Sequence, residues 1–386
     1  MPVIEEIAGF AEDLTTIRRD IHEHPELGFQ EVRTSGIVAQ KLKDWGIEVT
    51  TGLGKTGVIG VLKGSRPGRT IGLRADMDAL PIHEETNLPW SSKTPGVMHA
   101  CGHDGHTTML LGAARYLAAN PDFAGTAIFI FQPAEEGLGG ARQMIADGLF
   151  EQFPCDEIYG MHNNPHAAPN VVGIKKGPAM AGANFFDITV RGRGAHGARP
   201  EDGKDPVVIA SALVGQIQTI VSRNVEPVKP AVLSVTKIHA GDAYNVIPET
   251  ATLGGTIRFF DREVGEKISD RIRALCAGTA LAFDVEVTAD IRNTFDVLMN
   301  DDALSDAMVE AAQKVVGGDM AGIKTELVMG SEDFADMLAV VPGAYCTIGH
   351  EGSVPVHNPG FVFDDAILPV GASIYANMVL ARGGAA

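Results

Sequence analysis

Ala127-Ile128-Phe129-Ile130-Phe131-Gln132-Pro133-Ala134-Glu135-Glu136-Gly137-Leu138-Gly139-Gly140 is an apolar run that breaks at a proline into two adjacent glutamates and a glycine-rich turn. The run predicts a strand over Ala127–Gln132. Strand-like runs at Val58–Leu62 and Thr70–Ala75 precede it, with a helix over about 106–119 before the quoted stretch, and Glu157–Met161 follows as a further strand. Strands alternating with helical stretches imply an α/β domain with a largely parallel sheet. At the N-terminal end, Ile4, Ile7, Phe10, Leu14, Ile17 and Ile21 are spaced for one helix over 3–24. His24-Pro25 ends it, because proline disfavours a helical residue before it.

From about 184 the order changes. Asn184–Arg193, Ala231–His239, Ala251–Phe260 and Asp284–Ile291 read as strands, with helices over Pro206–Arg223 and Val264–Phe283. That is β-α-β-β-α-β, the order of a ferredoxin-like split unit. Alternation then resumes with a helix near 301–316, a strand at Ala344–Gly349 and a helix over 365–382. The expected division is a discontinuous domain of residues 1–181 and 293–386 interrupted by an inserted α+β domain of 182–292. At 386 residues the chain suits roughly two to three domains.

The net charge of -18 argues against nucleic acid or an anionic membrane as partner, since both reward a basic face. Cys101, Cys155, Cys276 and Cys346 are too dispersed for a disulfide framework. The acidic start Met1-Pro2-Val3-Ile4-Glu5-Glu6 lacks the basic-then-apolar order of a signal peptide, and no apolar run is expected to reach membrane-spanning length. A reducing cytoplasm is the expected location.

Chemistry concentrates at the predicted strand ends. Met98-His99-Ala100-Cys101-Gly102-His103-Asp104-Gly105-His106 holds one thiol and three imidazoles, a donor set that suits a divalent transition metal. An isolated Cys-x-His reads more readily as a buried thiol beside an ordinary histidine. Here it sits on a loop ahead of a helix, where donors can converge. Glu135-Glu136 lies beyond the C-terminal end of its strand, where ligands of open α/β sheets collect, and adjacent carboxylates can divide labour between holding metal and moving a proton. His162 follows the strand Glu157–Met161, and His357 follows the late strand within Val354-Pro355-Val356-His357-Asn358-Pro359. Asp76-Met77-Asp78 follows Thr70–Ala75. Period-two spacing puts the two carboxylates on one side, with one environment for both, and Asp78 is assigned to orienting a ligating histidine. Together these positions read as a metal-dependent hydrolase.

The same segments resemble the amidohydrolase branch of the dinuclear metallopeptidases, which holds N-acyl-amino-acid amidohydrolases, hippurate hydrolases and auxin-conjugate hydrolases. The resemblance runs through Arg19-Asp20-Ile21-His22-Glu23-His24-Pro25-Glu26-Leu27, Arg74-Ala75-Asp76-Met77-Asp78-Ala79-Leu80-Pro81, the Cys101 cluster and Phe131–Gly137. It continues in Gly194-Ala195-His196-Gly197-Ala198-Arg199-Pro200, Asn245-Val246-Ile247-Pro248 and Gly330-Ser331-Glu332-Asp333-Phe334. It implies a metallopeptidase-like catalytic domain with a central, mostly parallel sheet and a ferredoxin-like lid and dimerisation domain. It further implies Cys101, His103, Glu136, His162 and His357 as ligands of two divalent ions (Mn²⁺, Zn²⁺, Co²⁺ or Ni²⁺), with Cys101 as the bridge. Glu135 becomes the general base and His196 the oxyanion donor, although His196 equally fits a turn histidine. Asn245 and Arg258 become clamps for a substrate carboxylate, and Ser331 lines the pocket. Glu332 beside it is either a pocket or a helix-capping group. His99 and His106 are left as supporting groups. The implied substrate is a small N-acyl amino acid, and the implied assembly a homodimer. A dipeptidase or carboxypeptidase with the same ions, or a metal-binding protein without turnover, are the rival readings.

Overall fold

The computed structural model describes residues 3–384. It divides into two compact units: Met1–Ala179 with Met299–Leu327 and Asp333–Ala386, and Met180–Leu298 with Val328–Glu332. Each has its own apolar core.

The first unit is built on an eight-stranded sheet in the order Glu48–Leu53, Gly57–Lys63, Ala124–Gln132, Arg66–Asp76, Glu157–Asn164, Gly343–Gly349, Val172–Ile174 and Ala321–Ile323. The four central strands, from Ala124–Gln132 to Gly343–Gly349, are parallel. The sheet as a whole is mixed. The expected Val58–Leu62 strand runs antiparallel to Ala124–Gln132 and forms a hairpin with Glu48–Leu53. Apolar runs carry no mark of strand direction, which is why the sequence placed it in a parallel set.

Helix His103–Ala119 is an interior helix, with every residue from His103 to Ala114 buried. Such a helix is apolar or internally satisfied all round. Its C-terminal part supplies Met109, Leu110, Leu111 and Leu117 to the core, and its first two turns are polar. The expected N-terminal helix is split into Glu5–Gly9 and Ala11–Glu23 by a non-helical Phe10 (φ -117°, ψ 22°). Gly9, a weak helix former, immediately precedes the break.

The second unit has a four-stranded antiparallel sheet in the order Ala231–Ala240, Thr250–Phe259, Gly182–Arg191, Glu286–Phe295, with helices Pro206–Asn224 and Arg262–Phe283. In chain order this is 2-3-1-4, the ferredoxin-like arrangement. Helix Pro206–Asn224, at 19 residues, is long and apolar enough to cross a membrane by length and composition, contrary to the sequence expectation. Ile209, Leu213, Ile217 and Ile220 bury one face of it in the core of this unit, which accounts for its apolar character.

Candidate metal centre

The loop leading into helix His103–Ala119 turns at Gly102, whose φ of 97° is left-handed. A Cβ there would lie 2.3 Å from Asn163 Oδ1, so only glycine lets the Cys101 loop approach the strand Glu157–Asn164 this closely. The result places Cys101 Sγ 3.3 Å from His162 Nε2 and 3.3 Å from His357 Nε2. His162 lies inside its strand, paired with Thr347, and not beyond the strand end as expected. His357 has φ 63° and its N–H donates to Ala100 O at 2.7 Å, so a strained loop residue is pinned against the Cys101 loop. Its Nε2 is also 3.1 Å from Glu136 Oε1.

Two donor triads emerge, Cys101 with His103 and His162, and Cys101 with Glu136 and His357. In each, ligand-capable atoms lie within 4.8 Å of one another. Cys101 is common to both. A third group, His103, Glu135 and Glu136, is equally close and brings in the carboxylate assigned to proton transfer. All five expected ligands and Glu135 are thus brought together, although residues 101 and 357 are far apart in the chain. The donor chemistry fits divalent transition ions: sulfur, imidazole nitrogen and carboxylate oxygen in two sets of three. His103 Nε2 is buried and makes no hydrogen bond among the described residues, as a nitrogen reserved for a metal would.

The surrounding polar groups set orientation. Asp78 Oδ1 is 3.2 Å from His103 Nδ1, and its Oδ2 accepts the Glu136 N–H at 3.0 Å. His162 Nδ1 donates to the Asn163 carbonyl at 2.6 Å, which leaves Nε2 facing the thiol. Asp76 and Asp78 both lie beside His103, Asp76 Oδ2 being 3.8 Å from its Nε2 and Asp78 Oδ1 3.2 Å from its Nδ1, but they divide their hydrogen bonds. The strand ends at Asp76, whose carboxylate meets His106 Nδ1 at 2.6 Å and Arg74 Nη1 at 2.7 Å. His106 reaches on to Asn163 Oδ1 at 2.7 Å and is a supporting group.

Electrostatics follow from burial. Burial pushes the Cys101 thiol up, with the Glu136 charge adding to it. Burial and the His106 charge hold His162 well below the usual histidine value. Hydrogen bonds to Cys101 and Glu136 push His357 up to about 10. Burial pulls His103 down, but Asp76 and Cys101 outweigh it and the net direction is up. Positive charge is therefore favoured among the thiol and carboxylates. His99 is buried with neither ring nitrogen hydrogen-bonded among the described residues, and burial takes it down to about 4, so it is a neutral packing group.

Sequence reasoning passed over several groups here. Buried Arg74 donates to Gln132 Oε1 at 2.8 Å and to Asp333 Oδ1 at 3.1 Å, and Asp333 Oδ2 accepts the Ala141 N–H at 3.0 Å. Arg18 and His22 hold Asp104 at 3.1 and 2.9 Å, and His22 Nε2 reaches Glu84 at 3.3 Å. These residues lie within or beside the segments that carried the resemblance, but their partners are too remote in sequence to be read from spacing.

In the second unit, a short ladder pairs His196 with Val246, next to Asn245, and Asn245 O accepts the Gly197 N–H at 2.8 Å. His196 Nδ1 accepts the Ala198 N–H at 3.0 Å, leaving Nε2 outward on an exposed residue. Arg258 Nη1 donates to Ser331 Oγ, which donates to Ala181 O at 2.7 Å. His196 is thus brought to Asn245, and Arg258 to Ser331. The N-cap of the helix Phe334–Leu338 is Asp333, so Glu332 is not its cap.

Comparison with known proteins agrees with this geometry. Residues 72–381 match the model of the family described as peptidase family M20/M25/M40. The chain is 46% identical over 380 residues to a hippurate hydrolase of Campylobacter jejuni, covering 98% of this chain and 99% of that protein. It is 40% identical to an N-acetyl-L-cysteine deacetylase of Bacillus subtilis, covering 94% of this chain and 86% of that one. A solved Bacillus subtilis structure, described as a dinuclear metal binding peptidase from the M20 family, superposes with a TM-score of 0.82 at 34% identity, covering 97% and 98% of the two chains. The chain therefore belongs to the peptidase family M20/M25/M40, in its amidohydrolase branch.

Proposed function

We infer that this protein hydrolyses the amide bond of N-acyl amino acids, of the hippurate or N-acetyl type, releasing a carboxylic acid and a free amino acid. One observation carries the chemistry: two donor triads share Cys101, and Glu135 stands beside them without belonging to either. The hippurate hydrolase and N-acetylcysteine deacetylase relatives support the substrate class.

Cys101, His103, Glu136, His162 and His357 would hold two divalent ions, with Cys101 as the bridge. When bound, such ions polarise a carbonyl and acidify water. Glu135 accepts a proton from the attacking water and returns it to the leaving nitrogen, so the carboxylate ends as it began. We assign His196 as the oxyanion donor, a role whose removal costs about 2.7–4 kcal/mol in comparable sites. Asn245 and Arg258, steadied by Ser331, are assigned to the substrate carboxylate, which a guanidinium fork suits. The second unit is assigned as lid and dimerisation surface. Val207 and Val208 on its helix and Val232 and Ile238 on its edge strand Ala231–Ala240 are exposed apolar groups suited to a second copy.

The thermostable carboxypeptidases of Saccharolobus solfataricus, 39% identical, keep a peptidase reading in view. Metal-reconstituted enzyme tested on benzoyl-glycine, acetyl-amino acids and free dipeptides decides between them: turnover of the acylated substrates is expected, and turnover of dipeptides alone refutes the reading. Glu135→Gln is expected to lower kcat by roughly 10²–10⁴ with metal content unchanged, and full activity would remove Glu135 from the mechanism.

A further inference from the structure

The segment from Pro133 to Ala141, a loop that runs into the helix Gly140–Ala146, carries both Glu135 and Glu136, and three carboxylates from elsewhere in the first unit each accept one of its backbone N–H groups. Asp78 takes that of Glu136 and Asp333 that of Ala141, both at 3.0 Å. The third is Glu31, at the start of the helix Val32–Asp44, whose Oε1 accepts the Ala134 N–H at 2.9 Å. Its Oε2 accepts the Thr56 hydroxyl at 2.7 Å, and the residue is 0% exposed.

Ala134 is the residue before the proposed base, and its φ is 57°. A side chain disfavours that left-handed backbone, which persists only where the surroundings impose it. Two contacts impose it here. Gly28 lies so close that a Cβ on it would sit 3.0 Å from Ala134 Cα, and Glu31 holds the Ala134 N–H from the same segment. A carboxylate buried with one hydroxyl and one amide as its hydrogen-bond donors is a costly way to fill space. Burial accordingly pushes its pKa up. What it supplies that an apolar residue could not is direction.

We propose that Glu31 is a positioning residue for Glu135: by holding the Ala134 N–H it fixes the left-handed turn that aims the Glu135 carboxylate at the His103–Glu136 group. This rests on Glu135 being the proton carrier. Glu31 touches neither the metal donors nor the substrate in this scheme, so its effect is expected in kcat and not in metal content or KM.

The test compares Glu31→Leu, Glu31→Gln and Glu31→Asp with Glu135→Gln in metal-loaded protein, using benzoyl-glycine or whichever acylated substrate the wild type turns over. Measured are kcat, KM, bound metal by elemental analysis and circular dichroism. Glu31→Leu is expected to lose at least tenfold in kcat with KM and metal content within twofold of wild type. Glu31→Gln is expected to recover most of that loss, because its amide oxygen still accepts from Ala134 while its NH₂ donates to the Thr56 hydroxyl. Glu31→Asp keeps the charge but withdraws it by one methylene, and is expected to be slower than Glu31→Gln. That ordering decides the matter even if the leucine variant does not fold. Wild-type kcat in Glu31→Asp, or Glu31→Gln slower than Glu31→Asp, overturns the proposal while an inactive Glu135→Gln leaves the base assignment standing. A fully active Glu135→Gln overturns both.

Discussion

Asp78→Asn changes one atom in a residue that touches no proposed metal-facing atom, and it is expected to weaken metal binding by roughly 10–100-fold, about 1.4–2.7 kcal/mol. The magnitude follows from how the two oxygens are used. One faces His103 Nδ1 at 3.2 Å and the other takes the Glu136 N–H at 3.0 Å, in a residue that is 2% exposed. Both partners require an acceptor, but an amide offers only one. If the amide oxygen stays with Glu136, the NH₂ faces His103 Nδ1, which must then give up its proton to Nε2. That places hydrogen on the nitrogen proposed to face the metal. If the amide turns the other way, the Glu136 N–H faces a donor instead, and a buried unpaired group costs about 1–3 kcal/mol. Either way a proposed ligand is mis-set, so Asp78→Asn is expected to be at least as damaging as Asp78→Ala, where water can enter. The assay is a Zn²⁺ or Co²⁺ titration of apo-protein against a chromophoric chelator, with circular dichroism to confirm folding. A folded Asp78→Asn protein with metal affinity within twofold of wild type would refute the tautomer argument.

Cys101→Ser is expected to reduce bound metal towards one ion per chain or fewer, since a hydroxyl is harder and far less acidic than a thiol and serves both triads poorly. Elemental analysis checks it, and unchanged two-ion content excludes Cys101 as a bridge. A pH effect centres on His22. Burial lowers its pKa, but hydrogen bonds and charge from Asp104 and Glu84 outweigh that and raise it from 6.5 to about 9. A raised folded-state value means that the stabilisation is complete below 6.5 and is lost as pH climbs towards 9. At 1.36 kcal/mol per pH unit the ceiling is about 3 kcal/mol. Urea unfolding of wild type and His22→Gln at fixed metal saturation should show the stability gap closing over that window, and a gap that widens with pH contradicts the assignment.

Much of the molecule was legible because its signals are local. The quoted strand, the period-two strands of the inserted unit and the 3.6-period helices each declare themselves within about ten residues. Cys101, His103 and Glu135-Glu136 stand out because their residue types sit where loops meet buried elements. The break at Phe10 and the antiparallel run of Gly57–Lys63 were not legible, since neither changes the apolar pattern. Nor was the division of hydrogen bonds between Asp76 and Asp78, two residues apart in the chain, the first bonding His106 and the second His103.

By itself, then, the order of residues determined most of the element types, the β-α-β-β-α-β order of the second unit and a pool of side chains with metal-binding chemistry. Tertiary structure alone decided which of those side chains meet. Cys101 faces His357 across a sequence separation of 256, and Arg74 reaches Asp333 across 259. It also recruited Glu31, whose carboxylate is unremarkable until Ala134 arrives beside it 103 residues later. The physical reason is that periodicity reports only which face of an element is buried. The identity of the partner on the other side of that face depends on strand order, and strand order exists only once the sheet has formed.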